Sequence, residues 1–179
     1  MEKCIICAGF GGQGVLTAGM LLASVAYENG RQITWFPSYG AEMRGGTANC
    51  TVKISDRRIG SPMAGAVDIA LTMNEPAIDK FEGQIAPGGC LLVNTTVVDE
   101  ERKYRDDISV VRLKAGDMAA AIGNDRGANL VMLGGLLRHC GLFEIDVFNQ
   151  GMCDYFSSKG KGKFNQKNTE ALMSGYGDG

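Results

Sequence analysis

The sequence predicts an α/β fold, a three-layer Rossmann-like domain around a mostly parallel, partly mixed sheet. Strand-like and helix-like segments alternate along residues 1–179, with no linker or internal repeat, so a single domain is expected. Several strand candidates, such as residues 4–8 and 90–94, are short continuous apolar runs, the signature of strands covered on both faces. The stretch AGFGGQGVLTAG, residues 8–19, places five glycines at the first strand-to-helix junction.

Residues 4–8 form the first strand. The helix after it, over 15–27, carries no charged residue, and its apolar positions wrap most of the wheel, so it must be covered on more than one side. Asn29 or Gly30 supplies its left-handed stop. A second strand runs over 32–36, and Pro37 opens a glycine-rich loop. Residues 47–55 alternate strictly, with Ala48, Cys50, Val52 and Ile54 on one face and Thr47, Asn49, Thr51, Lys53 and Ser55 on the other. That pattern predicts a strand with one wet or partner-covered face, more often antiparallel. Further strands are expected at 68–73, 90–94 and 109–113. Helices are expected at 75–81, 117–122 and 128–137, the last again almost without a polar face, with weaker helical patterns at 144–157 and 168–173. Two helices apolar all round ask for a partner surface beyond one small domain.

Composition excludes several functions. The net charge of −2 gives no basic field for nucleic acid, and Lys159, Lys161 and Lys163, separated by glycines, read as a solvated loop. No apolar stretch reaches the 18 or so residues of a membrane span, and no signal-peptide core follows Met1, so a cytoplasmic protein is expected. Six scattered cysteines fit free thiols in a reducing compartment. Cys4 and Cys7 lie within a strand, which favours core packing over a redox pair, and His139 sits near a helix C-terminus with no nucleophile or acid to partner it. No catalytic residue and no metal ligand set is assigned.

Gly9, Gly11 and Gly14 satisfy the G-x-G-x-x-G spacing, in which bare amides and the positive helix end face a phosphate. A tight structural turn would use the same residues. NAD would need an acidic residue closing the second strand, where this chain has Trp35, Phe36, Pro37 and Ser38. Arg44, flanked by Gly45 and Gly46, is the candidate phosphate partner from the second loop, with a surface pairing to Glu42 as the alternative.

The stretches GFGGQGVLTAG, FPSYGAEMRGGTANCTVKIS and ANLVMLGGLL together resemble the gamma subunit of 2-oxoacid:ferredoxin oxidoreductases along nearly the whole chain. Ala41 stands where that family usually has proline. The resemblance implies an accessory subunit that is inactive alone and helps hold coenzyme A through Gly11, Gly12, Gln13, Gly14 and Val15, Arg44, Thr95 or Thr96, and Asn129. It further implies that thiamine diphosphate, magnesium and iron–sulfur clusters reside in partner chains. Those partners would be alpha, beta and ferredoxin-like delta subunits, with ferredoxin as acceptor, and a homodimer is one state open to the isolated chain. Substrates of the 2-oxoglutarate or ketoisovalerate type are expected, with pyruvate behind them. A stand-alone nucleotide-dependent oxidoreductase, an indolepyruvate oxidoreductase small subunit and a thiol redox protein are the alternatives.

Overall fold

The computed structural model describes residues 2–39, 47–63 and 65–178. Six strands form one sheet: β1 (Glu2–Phe10), β2 (Gln32–Tyr39), β3 (Thr47–Ser55), β4 (Val67–Thr72), β5 (Ile85–Asn94) and β6 (Ser109–Leu113), in the order β2-β3-β1-β4-β5-β6. β1, β4, β5 and β6 run parallel, whereas β3 is antiparallel to both β1 and β2. The mixed sheet expected from the alternation of 47–55 is therefore present. β2 continues through Pro37, beyond the expected end at 36, because it is the edge strand and an edge tolerates a residue that cannot donate to the ladder.

The helices are α1 (Val15–Glu28), α2 (Glu75–Phe81), α3 (Ala115–Ala121), α4 (Ala128–Cys140), α5 (Ile145–Ser158) and α6 (Asn165–Asp178). α2 and the segment 95–108 cover one face of the sheet, burying Ile6, Ala70, Leu91 and Val93 against Ile78, Phe81 and Val98. The other face, with Ile5, Cys7, Val52, Leu71 and Leu92, receives α1, α3 and α4. Over these lie α5, which packs on α1, and α6, which packs on α4. This second tier corrects one expectation. The all-apolar α1 and α4 find cover within their own chain, because the weak patterns near 144–157 and 168–173 are full-length helices.

α6 reads weakly in sequence because Asn165, Gln166, Lys167 and Asn168 open it and Gly175 and Gly177 interrupt it. Gly175 is there for contact. A Cβ at Gly175 would overlap the carbonyl of Val131, and one at Gly134 would overlap the carbonyl of Leu172, so the two helices cross backbone against backbone. Replacing either glycine with alanine forces the helices apart. The overpacking cost of about 1–3 kcal/mol exceeds the gain of about 1 kcal/mol from alanine's helix propensity. Gly134→Ala and Gly175→Ala are therefore expected to lower the urea midpoint, while Gly177→Ala, which meets open space, leaves it unchanged or raises it.

Candidate functional site

The chain leaves β1 at Phe10 and enters α1 at Val15 through a turn that glycine alone permits. Gly12 and Gly14 have φ of 100° and 74°, in the left-handed region that side chains disfavour. Gln13, between them, latches the turn to the rest of the sheet. Its Oε1 accepts from the Phe10 N–H at 2.7 Å and from Asn74 Nδ2 at 2.9 Å, and its Nε2 donates to the Met73 carbonyl at 3.4 Å. Asn74 in turn caps α2, its side chain accepting from the Ala77 N–H at 3.0 Å. The end of β1 and the β4–α2 junction are thus bolted together through two amide side chains.

α4 reaches the same place from the far end of the sequence. Asn129, in its first turn and 5% exposed, donates from Nδ2 to the Gly14 carbonyl at 3.0 Å. A Cβ on Gly14 would sit 2.5 Å from that nitrogen, so the contact needs glycine there. The N-termini of α1 and α4 consequently border one cleft of about 770 Å³, lined by Gly12, Gly14, Thr17, Arg126, Asn129 and Lys161 among others. Lys167 and Asn168, from the first turn of α6, line it too. None of α1, α4 and α6 has an acidic residue in its first turn, and neither α1 nor α4 has a capping side chain. The helices that start elsewhere, α2, α3 and α5, carry Glu75, Asp117 and Asp146 there. The cleft therefore combines positive helix ends with three basic side chains against one carboxylate, Asp125, an arrangement that favours an anion.

Of the residues expected at the site, Gly12, Gly14 and Asn129 line the cleft, and Gly11 and Gln13 shape the turn beside it. Val15 is 2% exposed with its side chain in the core, which leaves its backbone as the group that faces the turn. Thr95 and Thr96 follow β5 under α3, away from the cleft lining. The Thr95 N–H donates to the Leu113 carbonyl at 2.8 Å, and the Thr96 hydroxyl oxygen accepts from the N–H groups of Gly116 and Asp117 at 2.9 and 3.2 Å. Arg44, with Gly45 and Gly46, lies outside the described residues. The residues that flank it, Tyr39 and Thr47, lie at the sheet edge where β1 ends, since Thr47 pairs with Phe10. Sequence reasoning missed Arg126 and Lys167, and it set Lys161 aside as a solvated loop. The available signal was that lysine cluster, which precedes α6.

The NAD reading finds no support in the topology. The neighbour of β1 on this side is antiparallel β3, which presents Thr47 at the ligand edge, and among the described residues no acidic side chain takes the ribose-binding position there. Cys4 and Cys7 point to opposite faces of β1 and cannot pair; Cys7 instead lies opposite Cys50 of β3 inside the core. Among the described residues no group of three His, Cys, Asp or Glu side chains could hold a metal ion. No helix among them is long and apolar enough to cross a membrane.

These features define a Rossmann-like α/β domain with a glycine-built strand-to-helix turn. The chain belongs to the pyruvate ferredoxin/flavodoxin oxidoreductase family, whose model matches residues 4–177. It is 37% identical to the ketoisovalerate oxidoreductase subunit VorA of Methanothermobacter marburgensis over 94% of its own length, and it spans only about a third (34%) of that relative. It is 33% identical to the 2-oxoglutarate synthase subunit KorC of Methanocaldococcus jannaschii, over 98% of this chain and 93% of that one. These relatives are subunits of oxidoreductases. The gamma subunit of a keto/oxoacid ferredoxin oxidoreductase from Geobacter sulfurreducens superposes with a TM-score of 0.81 at 26% identity, covering 98% of this chain and 96% of that one. A 2-oxoglutarate:ferredoxin oxidoreductase from Magnetococcus marinus shares the fold at a TM-score of 0.87 and 22% identity, over 98% of this chain and 30% of its own.

Gln13 is the residue whose loss tests the latch. Gln13→Ala removes two acceptor contacts and one donor contact and is expected to cost about 1–3 kcal/mol in urea unfolding. A double-mutant cycle with Asn74→Ala should show coupling of at least about 0.5 kcal/mol. Strict additivity would mean that the two amides do not act as one unit.

Proposed function

We propose that this chain is the gamma-type subunit of a 2-oxoacid:ferredoxin oxidoreductase, and that its cleft holds the phosphates of coenzyme A for the acyl-transfer step. The complex would convert a 2-oxo acid, coenzyme A and oxidised ferredoxin into acyl-CoA, carbon dioxide and reduced ferredoxin. The observation that carries the reading is the convergence of three helix N-termini, none with an acidic first turn, on a cleft lined by Gly12, Gly14, Arg126, Lys161 and Lys167. Coenzyme A is a polyanion that such a cleft suits.

In this reading thiamine diphosphate with its magnesium supplies the electron sink for decarboxylation, and iron–sulfur clusters carry electrons singly, all in partner subunits of alpha, beta and ferredoxin-like delta type. This chain's own residues bind and orient. Backbone N–H groups of Gly12, Gly14 and Val15 donate to phosphate oxygens, while the Gln13 N–H is taken by the Phe10 carbonyl at 3.1 Å; Asn129 holds Gly14 in register, and Arg126 and Lys161 neutralise charge from the far wall. Arg44, between Tyr39 and Thr47 in the sequence, adds a guanidinium for the phosphates in this reading. Thr95 and Thr96 act on the site through α3, not by touching the nucleotide. Orientation alone supports a large rate effect, because holding a thiol at its target removes the entropy of finding it. Identity to VorA and KorC relatives supports a branched-chain or 2-oxoglutarate-type substrate. Exposed Phe36 and Thr47, on the less covered face of the sheet, offer surface to partner chains. A complex of this kind works in the cytoplasm.

The test uses the assembled complex. Thr17 lies in the first turn of α1 and lines the cleft. A carboxylate there complements the helix end by about 0.3–1 kcal/mol, so Thr17→Glu should leave the melting temperature unchanged or raised. It should nevertheless increase KM for coenzyme A by about tenfold or more, since like charges brought together cost several kcal/mol. CoA-independent carbon dioxide exchange should continue at its normal rate. An unchanged KM would remove coenzyme A from this cleft. Arg44→Ala should likewise raise KM for coenzyme A and spare the exchange reaction, whereas equal loss of both would place Arg44 in decarboxylation.

A further inference from the structure

Two pairs of cysteines in this chain meet thiol to thiol, and only their surroundings differ. Cys7 and Cys50 face each other across β1 and β3, both 0% exposed, sealed among Val15, Val52 and Leu71. Cys90, in β5, and Cys140, the last residue of α4, are both partly exposed. They line a second cleft of about 420 Å³ at the sheet edge opposite the glycine turn, together with Lys3, Asp68, Gly89 and His139. The two thiols are near enough for each to shift the titration of the other.

The chemistry of the two sulfurs is unequal. Cys140 sits at the C-terminal end of a 13-residue helix, where unpaired carbonyls disfavour a negative charge. Its S–H favours a thiolate on Cys90 and holds that thiol below its ordinary range. The same pairing, with burial and the neighbouring sulfur's charge, pushes Cys140 up. Lys3, bonded to Asp68 at 3.2 Å in the same cleft, offsets only part of that rise at Cys140. The thiolate that reacts with oxidants is therefore on Cys90, and its resolving partner is already in contact with it.

We propose that Cys90 and Cys140 form a hydroperoxide-reactive dithiol on the face of this subunit remote from its nucleotide cleft. The Cys90 thiolate attacks one oxygen of hydrogen peroxide, the O–O bond breaks, and hydroxide leaves, giving a sulfenic acid at Cys90. The Cys140 sulfur then attacks the Cys90 sulfur, its proton going to the departing hydroxyl, so that water leaves as the disulfide forms. Two thiols lose two electrons and two hydrogens, and the peroxide becomes two waters. Closing from a thiol–thiol contact to a bond of about 2.05 Å needs a small local movement and no unfolding. Cys7 and Cys50 cannot take the same course, because no oxidant reaches them in the folded chain.

The experiment treats the reduced full chain with one equivalent of hydrogen peroxide, blocks remaining thiols with an alkylating agent, and maps peptides by non-reducing mass spectrometry. The expected result is an intramolecular Cys90–Cys140 cross-link, with Cys7 and Cys50 unlinked, reversed by dithiothreitol. Cys140→Ser should stop the reaction at a sulfenic acid on Cys90 that dimedone traps, and Cys90→Ser should abolish both products. Free alkylation of Cys90 and Cys140 after peroxide, or a cross-link mapped to another pair, would overturn the proposal.

Discussion

Everything at the candidate site depends on one contact, the hydrogen bond from Asn129 Nδ2 to the carbonyl of Gly14, which joins residues 115 positions apart. It ties the first turn of α4 to the residue that opens α1. For it to form, Gly14 must lack a side chain and must take a left-handed φ, and α4 must lie close enough to α1 for a short amide to span the gap. The same carbonyl also accepts from the Ala18 N–H at 2.9 Å, so the contact starts the helix and positions it at once. Asn129 thereby fixes how the two helix ends meet at the cleft.

That closeness is a property of the whole helical side of the molecule. Gly134 and Gly175 let α4 and α6 touch along their backbones, Gly151 lets α5 approach Val25 of α1, and Gly19 lets α1 settle onto Cys50 and Val52 of β3. Backbone approach of this kind leaves no slack for α4 to slide, and it seals α1 and α4 under a second tier of helices. The chain's 26 glycines are about twice the usual share of roughly 7%; Gly19, Gly134, Gly151 and Gly175 serve this packing, while Gly12, Gly14 and others take positive φ in turns. Rigidity is what a site built from amides and dipoles requires, since such groups act by where they are held.

The sequence made the sheet and its core legible because burial has a period. The alternation at 47–55 marked an antiparallel strand, and the bare apolar runs marked the parallel ones. What it hid was the second tier. α6 opens with four polar residues, and its glycines lower helix propensity, so the pattern there falls below that of a typical helix even though the full 14 residues are helical. The same difficulty masked part of the site. Gly12 and Gly14 were readable because the turn and its motif are local, and Asn129 only through the family resemblance, whereas Arg126, Lys161 and Lys167 reach the cleft only through the packing of α4 and α6, which no local pattern encodes. Thr96 shows the reverse case. Its position after a central strand suggests a ligand contact, but the nearest free donors are the amides that open α3, and the hydroxyl goes to them.

The distribution of acidic residues among the helices argues for a ligand more strongly than the glycine motif does. A carboxylate in a first turn stabilises a helix by about 0.3–1 kcal/mol, and α2, α3 and α5 each have one. The three helices that begin at the cleft have none, so the chain forgoes on the order of 1–2 kcal/mol at the one place where their positive ends meet. A turn that existed only to pack α1 on β1 would gain from an acidic residue at Thr17 or in the first turn of α4, and nothing in the packing forbids one at partly exposed Thr17. The pattern has a physical reason if negative charge arrives from outside the chain. In that case a resident carboxylate would compete with the phosphate for the same amides, and its absence is part of the binding site.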